Sequence, residues 1–291
     1  MRTYLDCIPC FYRQALETAR LAGANEIIQK KIIDELSKLI PDFPLEASPP
    51  EMGRTVYALV RGIIGVKDPF KEIKENSNKL ALRLYPELKQ EINNSEDRLL
   101  TAVKLSIAGN VIDYGVKNSL NVEEEINKIF NKDFKIDNEN NKNVFRYQEF
   151  KEALTKVNTI IYLADNAGEV VFDRILIEEL TKKLGKKVIY VVRDKPIIND
   201  ALIEDALFCG INRTAEVVSS GSDAPGTLLK YCSPEFIRIY QKAELIISKG
   251  QGNYEALSEE DKLIFFLFKA KCPVIAEDVG CNIRDMVLVD R

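Results

Sequence analysis

The sequence of 291 residues contains no histidine and no tryptophan. Without an imidazole group, the chain cannot build a Ser-His-Asp or Cys-His catalytic group, a histidine-ligated zinc site or an imidazole acid–base pair. Any chemistry must therefore come from carboxylates, amides, thiols, lysines, hydroxyl groups or a bound metal ion. The lack of tryptophan excludes little.

The sequence also has no excess of positive charge and no long hydrophobic run. The formal net charge is −4 and the pI is near 5.3, so the composition does not point to nucleic acid or to an anionic membrane surface. The longest apolar runs, such as residues 263–268, are far shorter than the roughly 20 residues of a membrane span. Asp6 interrupts the first residues too early for a signal-peptide core. We therefore expect a cytoplasmic protein that binds neither nucleic acid nor membranes, and the sequence carries no signal for its oligomeric state.

Two kinds of pattern divide the chain. In the first part, apolar residues recur at helical spacing, as in residues 9–22. Later, short β-branched runs alternate with helical segments, which implies parallel strands joined by right-handed crossovers. We predict an α/β protein with a helical N-terminal domain (1–130), a polar connecting segment (131–150) and a three-layer α/β/α Rossmann-like sandwich with a mostly parallel sheet (151–291).

The predicted sheet consists of seven short apolar segments. They lie at residues 159–164, 187–192, 214–218, 244–248, 263–268, 272–276 and 286–289. Helices are predicted between the strands at 170–184, 199–209 and 234–242. Because ligands of such sheets bind beyond the carboxyl ends of the strands, the residues that follow each strand are the candidates for a functional site.

Carboxylates and amides follow the first two predicted strands. Asp165 and Asn166 come directly after the first strand, and Asp200 lies at the next strand-to-helix junction. Three oxygen donors in a chain without histidine suit an open octahedral site for Mg²⁺ or Mn²⁺, with Co²⁺ or Ni²⁺ as substitutes. The alternative is that Asp165 and Asn166 serve only as N-caps of the helix that follows.

Cations and small residues follow the other strands. Lys249 precedes the sequence GQGN, where it could grip a phosphate beside backbone N–H groups, although a lysine there could also be solvated. The glycine-serine stretch around Ser220 is either an anion cradle or a plain loop, and Arg193 either joins the rim or is solvated. We expect substrate contacts from this rim, through Glu169, Arg193, Ser220, Lys249 and Asn253.

Four motifs together resemble the metal-dependent damage-control phosphatases, a family once described as a domain of unknown function and partly as protein-glutamate O-methyltransferase-like. The motifs are DNAGE (165–169), ND (199–200), SKGQGNY (248–254) and GNVID (109–113). Their order and the helical first half match the family over nearly the whole chain. The CIPC pair near the start looks like the prokaryotic branch. DNAGE together with KGxxN is a fairly specific combination, whereas either motif alone would be weak.

The resemblance implies one divalent metal ion on the three oxygen donors named above, with the substrate phosphate near Lys249. It also implies that Asn110 and Asp113, which match the family's GNxxD, reach the same cleft. Without the resemblance, these two residues are equally well interpreted as an exposed helix face, because they lie three positions apart. Gly109 beside them would ease a close approach to the sheet.

The predicted reaction is hydrolysis of small phosphorylated metabolites such as sugar phosphates. The metal ion would neutralise the phosphate and activate a water molecule, and Lys249 would stabilise the equatorial oxygens. Asp165 and Lys249 are thus the candidate catalytic residues. Attack by Asp165 itself is the alternative, but the chain lacks the DxDx(T/V) signature of aspartyl-phosphate hydrolases.

Two other functions remain as alternatives: an S-adenosylmethionine-dependent carboxyl methyltransferase and a non-catalytic protein that binds phosphorylated metabolites. The first strand is followed by DNAGE, which has one glycine and not a glycine-rich turn, and this disfavours both the methyltransferase and a dinucleotide-binding dehydrogenase. A binding protein would use the same rim without hydrolysis.

The six cysteines do not form a disulfide framework in a chain of this length. Cys7 and Cys10 form a CxxC pair whose role is simple burial, half of a metal or disulfide site, or catalysis. A thioredoxin-like role is disfavoured because no strand precedes the pair. Cys272 and Cys281 are potential partners in a thiolate zinc site but lack the CxxC spacing.

Overall fold

The computed structural model describes residues 1–109 and 143–291. The first range contains the helices α1 (Cys7–Leu21), α2 (Glu26–Leu39), α3 (Pro49–Ile64), α4 (Lys71–Asn94) and α5 (Arg98–Ala108). The second range contains α6 (Tyr147–Lys156), β1 (Thr159–Leu163), α7 (Glu169–Glu178), β2 (Lys187–Val192), α8 (Ile203–Phe208), β3 (Glu216–Ser219), α9 (Pro234–Gln241), β4 (Leu245–Lys249), α10 (Gln251–Leu257), β5 (Ile264–Lys269), α11 (Pro273–Val279) and β6 (Met286–Asp290). None of the helices in these ranges has the length and apolar character needed to cross a membrane.

The six strands form one mixed sheet in the order β3-β2-β1-β4-β5-β6. Neighbouring strands pair in parallel, except that β6 runs antiparallel to β5. The direction of the strand order reverses between β1 and β4, and such a switch point leaves a crevice at the carboxyl ends of the strands. The predicted α/β class with a mostly parallel sheet is therefore confirmed.

Two predicted elements differ from the structure. Residues 272–276, predicted as a strand, instead begin α11, because Pro273 occupies its first turn and Gly280 ends it with a φ of +79°. The helix predicted from residue 199 begins only at Ile203. The residues before it pair with the loop after β1 through a bridge between Asn166 and Asp200, and this pairing matters for the site.

The apolar core lies on both faces of the sheet. Helices α4, α5 and α7 contribute to the core on one face, and α9, α10 and α11 contribute on the other. Helices α1, α2 and α3 form a separate core around Phe11, Ile32 and Val56. Helices α4 and α5 share one core with the sheet, so the division between the apolar cores falls between α3 and α4. Of the predicted connecting segment (131–150), only residues 143–150 are described, and those from Tyr147 belong to α6.

Glu178, at the end of α7, joins this helix to α4. Its carboxylate accepts a hydrogen bond from the Tyr85 hydroxyl at 2.8 Å and pairs with Lys89 at 2.9 Å and Arg174 at 3.1 Å. Burial alone would raise the pKa of Glu178, but the hydrogen bonds from Lys89 and Tyr85 lower it to about 2.

Acid should weaken this contact between α4 and α7. Because the pKa of Glu178 lies below its value of about 4.3 in an unfolded chain, the carboxylate contributes stability at neutral pH that is lost as the pH falls from about 4 to about 2. The free energy of urea unfolding should therefore fall less steeply with acid in Glu178→Gln than in the wild type. The exposed Glu87→Gln serves as the control, and equal slopes in all three proteins would contradict the shift.

Candidate active site at the carboxyl edge of the sheet

The carboxyl ends of β1 and β4 border a cleft of about 610 Å³. The sheet contributes Asp165, Asn166 and Asp200 to its lining, and α1 and α3 contribute the facing wall, with Arg13 and Tyr57 among their residues. The site therefore lies between the helical part of the chain and the switch point of the sheet.

Asp165 lies just beyond the end of β1 and is 9% exposed. It packs directly against Gly250, which follows β4, since a Cβ atom on Gly250 would come within 2.0 Å of Asp165 Oδ2. Gly250 also has a φ of +83°, a conformation that favours glycine. Gly250, the glycine of the KGxxN motif, thus leaves open the space that the Asp165 carboxylate occupies.

The loops after β1 and β2 are joined so that the three predicted oxygen donors lie together. Asn166 and Asp200 form an antiparallel bridge, and the Ala201 N–H donates to the Asp165 carbonyl at 2.8 Å. Asn166 Nδ2 donates to Asp165 Oδ2 at 3.0 Å and to Glu169 Oε1 at 2.9 Å. These two hydrogen bonds fix the orientation of the Asn166 amide group.

The site concentrates negative charge where little water reaches it. Burial, and then the charges of Glu169 and Asp200, hold the pKa of Asp165 well above its usual range, although Lys271 and Arg193 act in the opposite direction. A cation bound among such carboxylates would relieve their repulsion. Two carboxylates and one amide offer only oxygen atoms, which suits the ions predicted from the sequence.

The donor set contains two carboxylates and not three. Within residues 1–109 and 143–291, no group of three or more His, Cys, Asp or Glu side chains is placed to hold a metal ion. The nearby Glu169 is bound by Asn166 and Lys249, and Asp200 Oδ2 accepts a hydrogen bond from Arg193 at 2.8 Å. An ion at this edge would therefore depend on the Asn166 oxygen and on water for the rest of its ligands.

Lys249, predicted to touch the phosphate, lies inside the protein and is 1% exposed. Its Nζ atom donates to Asp173 Oδ1 at 2.7 Å and to Glu169 Oε2 at 3.1 Å. Asp173 also accepts hydrogen bonds from the hydroxyl groups of Tyr162 and Tyr190. With carboxylates on two sides, the ammonium group holds Glu169 in position from behind the cleft. The predicted contact of Lys249 with phosphate stays a prediction.

Removing this ammonium group should destabilise the fold. Lys249→Met leaves Glu169 and Asp173 as buried carboxylates without their cation, and breaking a buried ion pair typically costs about 3–5 kcal/mol. We expect urea unfolding to show a loss of this size, while Lys242→Met, at an exposed lysine on the surface, should change little. A Lys249→Met protein as stable as the wild type would contradict the assignment.

Arg193, Asn253 and Ser220 also lie beneath the predicted rim. Arg193 is 1% exposed, and it pairs with Asp200 and donates to Asn253 Oδ1 at 3.1 Å. Asn253 Nδ2 donates to main-chain carbonyl groups at the carboxyl ends of β1 and β4. Ser220 Oγ accepts a hydrogen bond from the Ser222 N–H within the loop after β3. These side chains hold the strand ends and the loop after β3 in place. Their predicted contacts with substrate stay predictions.

Asn110 and Asp113 lie outside the described residues, so their predicted contact with the cleft stays a prediction. The preceding Gly109 is described, and a Cβ atom on it would come within 2.9 Å of Phe172 on α7. The chain therefore approaches α7 closely at this glycine, as its residue type suggested.

Sequence reasoning missed side chains of α1 and of the segment before α11. Arg13 and Lys271 line the cleft, beside Cys272 and the Cys7 and Cys10 pair that the sequence analysis singles out. The sequence shows that Arg13 lies one helical turn after Cys10 and shares its face. It does not show that this face meets the edge of the sheet, because that depends on how α1 packs.

Comparison with known proteins places the chain in a family. The chain belongs to the damage-control phosphatase ARMT1-like domain family, which it matches over residues 3–287. The resemblance seen in the sequence motifs is therefore confirmed.

Among its relatives, a damage-control phosphatase of Pyrococcus horikoshii is 34% identical over 96% of this chain and 94% of its own length. A damage-control phosphatase of Archaeoglobus fulgidus is 33% identical over 97% of this chain and 96% of its own length. The crystal structure of a DUF89 family protein from Pyrococcus horikoshii matches this fold with a TM-score of 0.89 and 31% identity, and the match covers 100% of this chain and 99% of that one.

Proposed function

We propose that the chain is a phosphatase that hydrolyses small phosphorylated metabolites, sugar phosphates among them, with a divalent metal ion on Asp165, Asn166 and Asp200. The family and the names of two relatives support the phosphatase activity. The observation that carries the metal site is the buried group of oxygen donors at the switch point, with Asn166 oriented by its two hydrogen bonds. Mg²⁺, Mn²⁺, Co²⁺ and Ni²⁺ are the ions that we propose for it.

The chain's own residues supply the geometry for this reaction. When bound, a divalent ion would neutralise phosphate charge and favour the ionisation of water. Asp165 is fixed by Gly250 and Asn166, and Asp200 is fixed by Arg193, so neither carboxylate has to be ordered during the reaction. Because Asp165 Oδ2 already lies against Gly250 and accepts a hydrogen bond, attack by water is favoured over attack by this carboxylate.

Two cations outside the predicted set line the cleft. Arg13 and Lys271 line it, whereas Lys249 and Arg193 are buried and paired with carboxylates. Lys271 lies near enough to Asp165 for its charge to lower the pKa of that carboxyl group. We assign to Arg13 and Lys271 the neutralisation of the phosphate oxygens, since phosphoryl transfer depends mainly on positioning and electrostatics.

The size of the cleft supports a small substrate. Its volume of about 610 Å³ lies within the range of about 300–1,000 Å³ that is usual for small-molecule sites. The helical wall supplies aromatic side chains, Phe11 and Tyr57, beside the polar edge of the sheet. A metabolite could place its phosphate at the polar edge of the sheet and its small organic body against the aromatic side chains of the helical wall.

A phosphatase screen tests the proposal. The protein, stripped of metal with a chelator, is offered a panel of phosphorylated metabolites with each of the four ions in turn, and inorganic phosphate is measured. We expect release only when a metal is added, loss of release in Asp200→Asn, and normal release in the exposed control Asp261→Asn.

Each alternative gives a different result in this screen. Release after complete removal of metal would contradict the metal site. Binding of a metabolite without release under any of the ions would indicate a binding protein. Saturating S-adenosylmethionine should leave the melting temperature unchanged, and an increase would support the methyltransferase.

A further inference from the structure

Three thiol groups from two separate parts of the chain line the same cleft. Cys7 is the first residue of α1, Cys10 lies one turn later, and Cys272 directly precedes α11. All three are free thiols and all are partly exposed. The first two therefore belong to the helical wall, and the third belongs to the sheet side of the cleft.

The three thiols lie close enough to influence one another. Burial raises the pKa values of Cys7 and Cys272, and the charge of Glu255, followed by that of Cys10, raises both further. Gln251 Nε2 donates to Cys272 Sγ at 3.6 Å. Because Gln251 directly follows Gly250, this group of thiols borders the carboxylate site.

Arg13 distinguishes Cys10 from the other two thiols. Its Nη2 atom donates to Cys10 Sγ at 3.3 Å. This contact places a guanidinium group next to the Cys10 sulfur, on the side of α1 that lines the cleft. Across the described ranges, no three Cys, His, Asp or Glu side chains are placed to hold a metal ion, so a redox pair describes this group better than a thiolate metal site.

We propose that Cys10 and Cys272 form a reversible disulfide across the cleft when the protein meets a low-molecular-weight disulfide such as oxidised glutathione. The Cys10 thiolate attacks one sulfur of the oxidant, which forms a mixed disulfide and releases one thiolate. Cys272 gives its proton to solvent and attacks Cys10 Sγ, which forms the protein disulfide and releases the second thiolate. Two electrons pass from the protein thiols to the oxidant, so no further reactant is needed.

The disulfide would fasten the first turn of α1 to the segment before α11. Arg13 lies one helical turn after Cys10, and Lys271 directly precedes Cys272. The bond would therefore also constrain these two cations, which we assign to the phosphate. We therefore expect the oxidised protein to admit substrate poorly, a consequence that rests on the proposed function. Formation of the bond itself does not depend on that function.

Peptide mapping tests the bond. The full-length protein is incubated with oxidised glutathione, alkylated, digested and examined by mass spectrometry. We expect a peptide cross-linked through Cys10 and Cys272, with the other four of the six thiols still free. Cys272→Ser should stop at the mixed disulfide on Cys10, while Cys281→Ser, a change at a thiol that packs against the sheet core, should behave as the wild type.

Phosphate release is measured on the same samples. We expect oxidation of the wild type to reduce it about tenfold or more, with recovery in dithiothreitol. A Cys7–Cys10 bond, a glutathione adduct alone in the wild type, or six unchanged thiols would overturn the proposal. A mapped Cys10–Cys272 bond in a protein that released no phosphate before oxidation would support the bond and contradict only the proposed function.

Discussion

Asp165→Asn should abolish phosphate release and at the same time raise the thermal stability of the metal-free protein. The substitution keeps the shape of the side chain but replaces a charged metal ligand with a weaker, neutral one, and the several kcal/mol that a metal ion supplies correspond to a rate loss on the order of 10³-fold. It also removes one of the buried negative charges that Asp165 shares with Glu169 and Asp200. The turnover number in saturating Mn²⁺ and the melting temperature in chelator measure the two effects.

The gain in stability from Asp165→Asn should become smaller as the pH falls. Because the folded protein raises the pKa of Asp165, the ionised carboxylate costs stability at neutral pH. The gain from asparagine should therefore be present at neutral pH and shrink near about pH 4, where the carboxyl is protonated in folded and unfolded chains alike. Asp261→Asn should show neither effect, and Mn²⁺ should raise the melting temperature of the wild type but not of Asp165→Asn. Retention of more than about a tenth of the wild-type rate would count against the role of Asp165.

Gly250→Ala should remove both activity and metal binding. The new Cβ atom would lie 2.0 Å from Asp165 Oδ2 and 2.1 Å from its Cγ, so the carboxylate or the end of β4 must move. The carboxylate is held by Asn166 at 3.0 Å, and the Gly250 N–H donates to the Leu267 carbonyl of β5 at 3.1 Å. Displacement of a ligand by even 1 Å can reduce a rate by about 10²-fold. The free energy of urea unfolding and the rate of phosphate release measure the two consequences.

Gly280→Ala is the matched control for this substitution. Gly280 has a similar φ of +79°, but a Cβ atom there would have no neighbour within 4 Å. Replacing Gly280 with alanine should therefore lower the free energy of unfolding only by the cost of a positive φ, about 1 kcal/mol, and should leave activity intact. Equal losses of stability in the two variants, or full activity in Gly250→Ala, would contradict the close contact between Gly250 and Asp165.

The elements with strong sequence patterns could be predicted almost residue by residue. The apolar runs of β1 and β2 are bounded by polar residues, and the strands in the structure are Thr159–Leu163 and Lys187–Val192. The place of Asp165 and Asn166 at this edge could be predicted because they follow β1 closely, whereas Asp200 lies further along, just before α8. The start of α11 could not, because Cys272–Ala276 is a short apolar run in which one proline in the first turn decides for a helix.

The surroundings of the cations could not be predicted from the sequence. The sequence shows that a lysine ends this strand, but it does not show which side chains surround the ammonium group. In the structure Glu169 and Asp173, four residues apart on α7, enclose the Lys249 ammonium group. Arg13 and Lys271 reach the cleft because of how α1 packs and where β5 leads, and neither depends on a local pattern.

The position of the metal ion tests the central claim most directly. A crystal of the protein grown with Mn²⁺ and measured at the manganese absorption edge locates the ion independently of any activity. We predict one anomalous peak between the ends of β1 and β2, about 2.0–2.4 Å from oxygen atoms of Asp165, Asn166 and Asp200. A peak bound by other residues, or no peak at this edge in a preparation whose phosphate release requires Mn²⁺, would contradict the account.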